Sequence, residues 1–234
     1  MEEFTLRNRI HVFEDRLHGG ELLANILEKY QYKKNTYVLA IPAGGVPVAY
    51  MISKRLDLPL DLLITRKLHI PWNKEAGFGA ISWDGTTLFN EPLVASLGLT
   101  REDIARCVAE EKKAIKRRMK TFRGNRAYPS LENKTAIIVD DGLASGFSML
   151  TTIKAIKKRK VKEKVVAVPT APISAIERIK PFVDKIVCLN IRSGPIFAVA
   201  DAYKVWYDLE DEDIRDVLQL ARKEGLYQRA EQLS

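Results

Sequence analysis

The chain has only two cysteines, Cys107 and Cys188, among 234 residues. Nothing in the sequence pairs them, and Cys188 lies inside the apolar run Ile186-Val187-Cys188-Leu189. A disulfide-stapled scaffold is therefore excluded, and reduced thiols of a cytoplasmic chain are expected. The three histidines, His11, His18 and His69, are scattered, and no Cys/His cluster has zinc spacing, which argues against a histidine-built metal site. No apolar run approaches the roughly 20 residues needed to cross a bilayer. The opening segment MEEFTLRNRI is charged and lacks the apolar centre of a signal peptide, so cytoplasmic residence without a membrane partner is expected. Internal repeats and low-complexity linkers are absent. So are two phosphate-binding fingerprints: no glycine precedes Lys-Ser/Thr as in a nucleotide P-loop, and no G-x-G-x-x-G opens a helix.

What the chain does carry is positive charge, a formal +8, with a hydrophobic fraction of 46% that can supply a sizeable core. Much of the charge falls in Lys112-Lys113, Lys116-Arg117-Arg118, Lys120, Arg123 and Arg126. That run reads as a solvated helix face. A nucleic-acid surface is the alternative, weakened because no aromatic residues are interleaved there for stacking.

Short, near-continuous apolar runs at Val38–Ile41, Leu62–Ile64, Ala136–Val139, Val165–Val168 and Ile186–Leu189 fit strands covered on both faces. Helical patterns at Val46–Leu56, Met149–Lys160 and Ser174–Ile179 alternate with them, as in a doubly wound, mostly parallel α/β sheet. A further helix is predicted over Glu21–Tyr30. Another is opened by Thr100 and Asp103, carries Ile104, Val108, Ile115, Met119 and Phe122 on one face, and ends at Gly124. A last helix starts at Asp211-Glu212-Asp213 and is expected over about 211–230. The stretch Lys67–Asn90 is the longest without a clear core pattern.

The chemistry concentrates in Ile137-Ile138-Val139-Asp140-Asp141-Gly142-Leu143-Ala144-Ser145-Gly146-Phe147-Ser148. Two carboxylates stand where a buried strand ends, which is where ligands gather in an open parallel sheet. The small-residue loop after them leads into a helix, so its backbone N–H groups and the helix dipole suit an anion. A sugar phosphate answers both demands, with hydroxyls or a hydrated cation at the carboxylates. A receiver domain also places acids after a strand but does not account for the Ser-Gly-x-Ser turn. A purely structural Asp-Asp turn is the other alternative.

The same residues resemble the phosphoribosyl-pyrophosphate (PRPP) motif of type I phosphoribosyltransferases, and the resemblance covers nearly the whole chain. Phe13-Glu14-Asp15-Arg16 with Gly19-Gly20, Ile41-Pro42-Ala43-Gly44-Gly45-Val46-Pro47, Arg66-Lys67-Leu68, Asn73-Lys74-Glu75 with Gly79-Ala80, and Phe197-Ala198-Val199 are similar to a branch of bacterial and archaeal members. The resemblance implies one domain over 1–234 that transfers 5-phosphoribosyl from PRPP to an acceptor, a nitrogenous base, releasing pyrophosphate. Mg²⁺ would be held mainly by PRPP, near Asp140 and Asp141, and the assembly would be a homodimer. Asp140 and Asp141 would hold the ribose hydroxyls and favour a cationic transition state. Ala144, Ser145, Gly146, Phe147 and Ser148 would bind the 5-phosphate. Ala43, Gly44 and Gly45, with a non-proline cis peptide, and Arg66-Lys67 at the end of the second core strand would hold pyrophosphate. A mobile lid is implied over 67–90, with Gly77 and Gly79 at a hinge or hairpin and Trp72 and Trp83 packed. A hood over 193–207, joined by the N-terminal segment, would select the acceptor through Phe197 and Ala198.

Three departures stand out. Ala43 replaces a frequent arginine, Phe147 replaces a small residue, and the metal-assisting hood aspartate has only Asp201 nearby. The competing expectation is a PRPP- or nucleotide-sensing regulator without catalysis that binds RNA through the basic helix. Neutralising both Asp140 and Asp141 is expected to leave the fold intact, since adjacent carboxylates repel.

Overall fold

The computed structural model describes residues 6–124 and 126–227, without the side chains of residues 74 and 75. Five strands form a parallel sheet in the order β2-β1-β6-β7-β8: β1 (Thr36–Ala40), β2 (Leu60–Leu62), β6 (Thr135–Val139), β7 (Glu163–Pro172) and β8 (Lys185–Arg192). Three of the five apolar runs fall wholly on these strands; Val38–Ile41 overruns β1 by Ile41, and Leu62–Ile64 shares only Leu62 with β2. Their continuity has a simple cause. Val38, Ala40, Ile137, Val139, Val165, Ala167, Val187 and Leu189 face one core, while Leu39, Ile138, Val166, Val168 and Cys188 face the other. Alternate residues are buried on opposite sides, so the runs themselves contain no polar position.

The first core is closed by α1 (Arg16–Ile26), α2 (Gly45–Leu56) and α7 (Asp211–Lys223), the second by α5 (Phe147–Lys157) and α6 (Ile173–Ile179). The final helix is shorter than the sequence suggests. It ends at Lys223, with Gly225 at φ 76° turning the chain so that Leu226 N–H reaches the Ala221 carbonyl, and residues 228–230 lie outside those described. Both cysteines are buried and form no disulfide. Among the described residues no helix is long and apolar enough to cross a membrane.

The stretch expected to lack a core pattern is a second sheet. Strands β3 (Thr65–Ile70), β4 (Asn73–Ser82) and β5 (Thr87–Phe89) pair antiparallel, burying Leu68, Ile70, Phe78, Ala80 and Ile81. Arg66-Lys67 therefore begins β3 rather than ending β2. Two features hid the strand alternation. Register shifts interrupt the ladder at Leu68/His69 and His69/Ile70, and Gly77 and Gly79 dilute the apolar pattern inside β4. Gly77 lies within the β3–β4 hairpin, opposite His69. A Cβ there would lie 2.3 Å from Lys67 Cγ, so the glycine makes room for the lysine stem. Trp72 at the β3–β4 turn is 66% exposed rather than packed, whereas Trp83 packs 5.3 Å from the Tyr128 ring.

After α3 (Glu91–Leu97), α4 (Arg101–Arg118) starts at the expected cap. Asp103 N–H donates to Thr100 Oγ1 at 3.1 Å, and Thr100 N–H donates to Asp103 Oδ2 at 3.2 Å. A π turn over Met119–Arg123 and Gly124 follow. Arg123 then donates from Nε and Nη2 to buried Asp61 at 3.0 and 2.7 Å, pinning the end of the α4 excursion to β2.

Candidate active site

The carboxyl edge of β6 opens into a cavity of about 640 Å³. The loop after β1, the start of β3, the loop between β6 and α5, α4 and the 199–209 segment line it. Ala43, Gly44, Arg66, Lys67, Asp140, Asp141, Ala144, Ser145, Gly146 and Ser148 all reach this one cavity. Residues far apart in the sequence are thereby brought together.

Asp140 and Asp141 end the central strand but occupy different surroundings. Arg16 Nε donates to Asp141 Oδ2 at 2.9 Å, and Arg16 Nη1 donates to the Tyr207 carbonyl at 3.0 Å. The Arg16 guanidinium lies 3.8 Å from the Trp206 ring centroid. Tyr203 Oη donates to the Asp141 carbonyl at 2.5 Å. Asp140 Oδ1 accepts from the Asp141 N–H at 2.9 Å. Burial, then the neighbouring Asp141 charge, pushes the Asp140 carboxyl well above the usual carboxylate range. Burial also raises Asp141, but Arg16 opposes it by charge and hydrogen bond. Burial thus disfavours charge on both carboxyls, and Arg16 offsets it chiefly at Asp141.

The loop after β1 packs against this pair. The Pro42–Ala43 peptide is cis, as the family resemblance implied. A Cβ on Gly44 would sit 1.8 Å from Asp141 Oδ2, so only glycine lets the two loops come this close. Gly45, the third residue expected to hold pyrophosphate, begins α2 against the Val139 carbonyl, behind the cavity lining.

The loop expected to hold an anion runs from Gly142 into the N-terminus of α5, with Ala144 and Ser145 exposed. Phe147 does not line the cavity. Its ring lies 4.9 Å from the Arg178 guanidinium, and Arg178 also donates to the Ser145 carbonyl. Only the Phe147 backbone is thereby left to the loop, which explains how a bulky residue is tolerated. Arg66-Lys67 is tied to α5 through buried hydroxyls: Thr65 Oγ1 lies 2.8 Å from Thr152 Oγ1 and 3.3 Å from Ser82 Oγ. Arg66 Nε donates to Glu111 Oε2 at 2.8 Å, and His69 Nδ1 lies 3.5 Å from Glu111 Oε1.

Phe197 and Ala198, expected to meet the acceptor, do not line this cavity. Phe197 lies 5.3 Å from the Arg192 guanidinium, and Arg192 pairs with Asp201 at 3.1 Å. Asp201 is therefore committed to Arg192. From the same stretch of chain, Val199, Trp206, Asp208 and Leu209 line the cavity. The N-terminal segment bonds to this stretch, with His11 N–H on the Asp201 carbonyl at 2.7 Å and Phe13 N–H on that of Ala202 at 3.0 Å.

Sequence reasoning missed Arg118, Trp206 and the ion pair made by Arg16. Arg118 and Glu111 had a legible signal. With Ile115 and Phe122 they fall at i, i+4, i+7 and i+11 of one helical stripe, so two charges interrupt a buried face. Arg16 pairs with a residue 125 positions away, which no local pattern reveals.

Fold and cavity together define a doubly wound α/β protein with a charged cleft at the carboxyl edge of its sheet. Residues 15–200 match the phosphoribosyl transferase domain. Two curated Mycobacterium tuberculosis proteins, from strains CDC 1551 and H37Rv, are each 34% identical over 216 residues, 91% of this chain, and are provisionally named phosphoribosyl transferases. The chain spans about half, 48%, of the length of these relatives. The crystal structure of TT1426 from Thermus thermophilus superposes with a TM-score of 0.69 at 30% identity, covering 88% of this chain and 96% of that one. The chain belongs to the phosphoribosyl transferase family.

Proposed function

We propose that the chain is a Mg²⁺-dependent phosphoribosyltransferase that moves 5-phosphoribosyl from PRPP to a nitrogenous base. The convergence of an acidic pair, a backbone anion loop and the Arg66-Lys67 cations in one cavity carries this reading. The Gly142–Ser148 loop binds the 5-phosphate through N–H groups at the start of α5. Asp140 and Asp141 accept from the ribose hydroxyls. The C1–O bond to pyrophosphate breaks with its electron pair leaving on pyrophosphate, and an acceptor nitrogen bonds to C1 and gives up its proton. Carboxylates fixed below the ribose stabilise positive charge as it develops there. Arg66 and Lys67 neutralise the departing pyrophosphate, and the Ala43-Gly44 backbone lines its place in the cavity.

The donor set fits a cation that arrives with its ligand. Among the described residues no group of three or more His, Cys, Asp or Glu side chains could cage a metal. Asp140 and Asp141 would flank Mg²⁺, which supplies charge neutralisation to the leaving group. The exposed β3–β4 turn around Trp72 is the part of 67–90 positioned to act as a lid. Cytoplasmic residence and a homodimeric state belong to the same proposal, the latter testable by sedimentation.

Pyrophosphate release from PRPP, screened over a panel of bases with Mg²⁺, tests the reading. PRPP at about 100 times its Kd should also add roughly 2.7 kcal/mol of stability. No thermal shift at millimolar PRPP in folded protein would end it. Exposed Lys112, Lys113, Lys116, Arg117 and Lys120 favour the second reading, a PRPP-sensing regulator that binds RNA. PRPP binding with salt-dependent RNA binding and no release with any base would support it.

A further inference from the structure

The basic run at the end of α4 divides in two. Lys112, Lys113, Lys116 and Arg117 are exposed, but the Arg118 side chain is only 14% exposed and lines the cavity. Its position is set from several sides. Arg118 Nη2 lies 2.8 Å from Asp211 Oδ1 in the first turn of α7, and α4 is capped at Thr100 and anchored beyond its end by Arg123 on Asp61. Glu111, two turns earlier on the same stripe, holds Arg66 at 2.8 Å. One helix thus places Arg118 and orients Arg66, and both line the same cavity.

Bringing guanidinium groups together is unfavourable without an anion between them. Burial and then the Arg66 charge both push the Arg118 pKa down, which reflects that crowding. Planar guanidinium forks match a polyphosphate, whose oxygens accept paired N–H donors. We propose that Arg118 is a pyrophosphate-binding residue and that α4 forms an additional wall of the pyrophosphate subsite. The inference rests on the phosphoribosyltransferase reading above. It assigns to Arg118 a task otherwise left to Ala43-Gly44, Arg66 and Lys67.

Calorimetric titration with Mg²⁺-pyrophosphate, and separately with ribose 5-phosphate, tests it on the full chain. Arg118→Gln should weaken pyrophosphate about tenfold or more while leaving ribose 5-phosphate within about twofold. Arg117→Gln removes the same charge from the adjacent exposed position and should change neither ligand. Arg118→Lys keeps the charge without the fork and should fall between wild type and the glutamine variant. It also decides the question if Arg118→Gln does not fold: pyrophosphate binding equal to wild type in Arg118→Lys then overturns the assignment. Equal losses in Arg117→Gln and Arg118→Gln would overturn it too, because the effect would then be a long-range field. Unchanged pyrophosphate affinity in folded Arg118→Gln overturns it while leaving the enzyme reading intact. A wild-type protein that binds neither ligand removes both.

Discussion

Arg16 and Asp141 meet through a 2.9 Å ion pair in which the arginine side chain is 8% exposed and the carboxylate side chain 14%. Two aspartates that look equivalent in the sequence are therefore unlike in the fold. Asp140→Asn removes a buried, repelled carboxyl and should keep or raise the melting temperature. Asp141→Asn leaves a buried guanidinium without its charge partner and should cost about 1–3 kcal/mol. This revises the expectation that neutralising both carboxylates keeps or slightly raises the melting temperature. Both variants should lose most turnover. Melting temperature and pyrophosphate release measured on each single variant decide the matter. An Asp141→Asn protein as stable as wild type would show that the ion pair contributes nothing to the fold.

The raised Asp140 carboxyl sets a direction for pH. Its folded pKa lies above the unfolded value of 3.8, so the folded state holds more protons than the unfolded state between the two. The stability tied to that proton is fully present below the unfolded pKa and is lost as pH rises through the folded one. Asp140→Asn lacks this loss. The stability difference between variant and wild type should therefore grow in favour of the variant as pH increases from about 4. Paired urea titrations across pH measure it, and a pH-independent difference would contradict the assigned shift.

The parallel sheet was legible because double burial leaves unbroken apolar runs such as Ile137-Ile138-Val139, and the capping signals at Thr100 and Asp211 are local. The acidic pair and the anion loop were legible for the same reason: strand, acids, loop and helix are contiguous. The β3–β5 sheet was not, because bulges and Gly77 break its alternation. Within 197–199 the residue that lines the cavity was not legible either: it is Val199, not Phe197. An aromatic residue invites a stacking role, and only the tertiary fold puts Arg192 over that ring. Arg16 and Arg118 act across the chain, and their partners Asp141 and Asp211 are far away in sequence.

Gly44 offers a test of the loop-on-loop geometry. In Gly44→Ala the new methyl would overlap the Asp141 carboxylate, so either the loop or the carboxylate must move. Displacing a catalytic group by about 1 Å can cost on the order of 100-fold in rate. Pyrophosphate release should fall by that order, and ribose 5-phosphate binding should weaken with it because both loops share the contact. Wild-type turnover in Gly44→Ala would mean that Asp141 does not need its position over the glycine.

The acceptor wall gives the last prediction. If the base lies against Val199 and Trp206, then Phe197→Ala should leave the acceptor KM near the wild-type value, since that ring packs under Arg192 outside the cavity. Val199→Phe adds bulk inside the cavity, where overpacking costs about 1–3 kcal/mol. It should raise the acceptor KM about tenfold while the KM for PRPP changes much less. Steady-state kinetics with each substrate varied in turn separates the two parameters. The opposite pattern, an acceptor KM raised by Phe197→Ala and untouched by Val199→Phe, would place the base on Phe197. Arg192 would then have to leave that ring when the acceptor binds, and its 3.1 Å pairing with Asp201 would be the contact to break next.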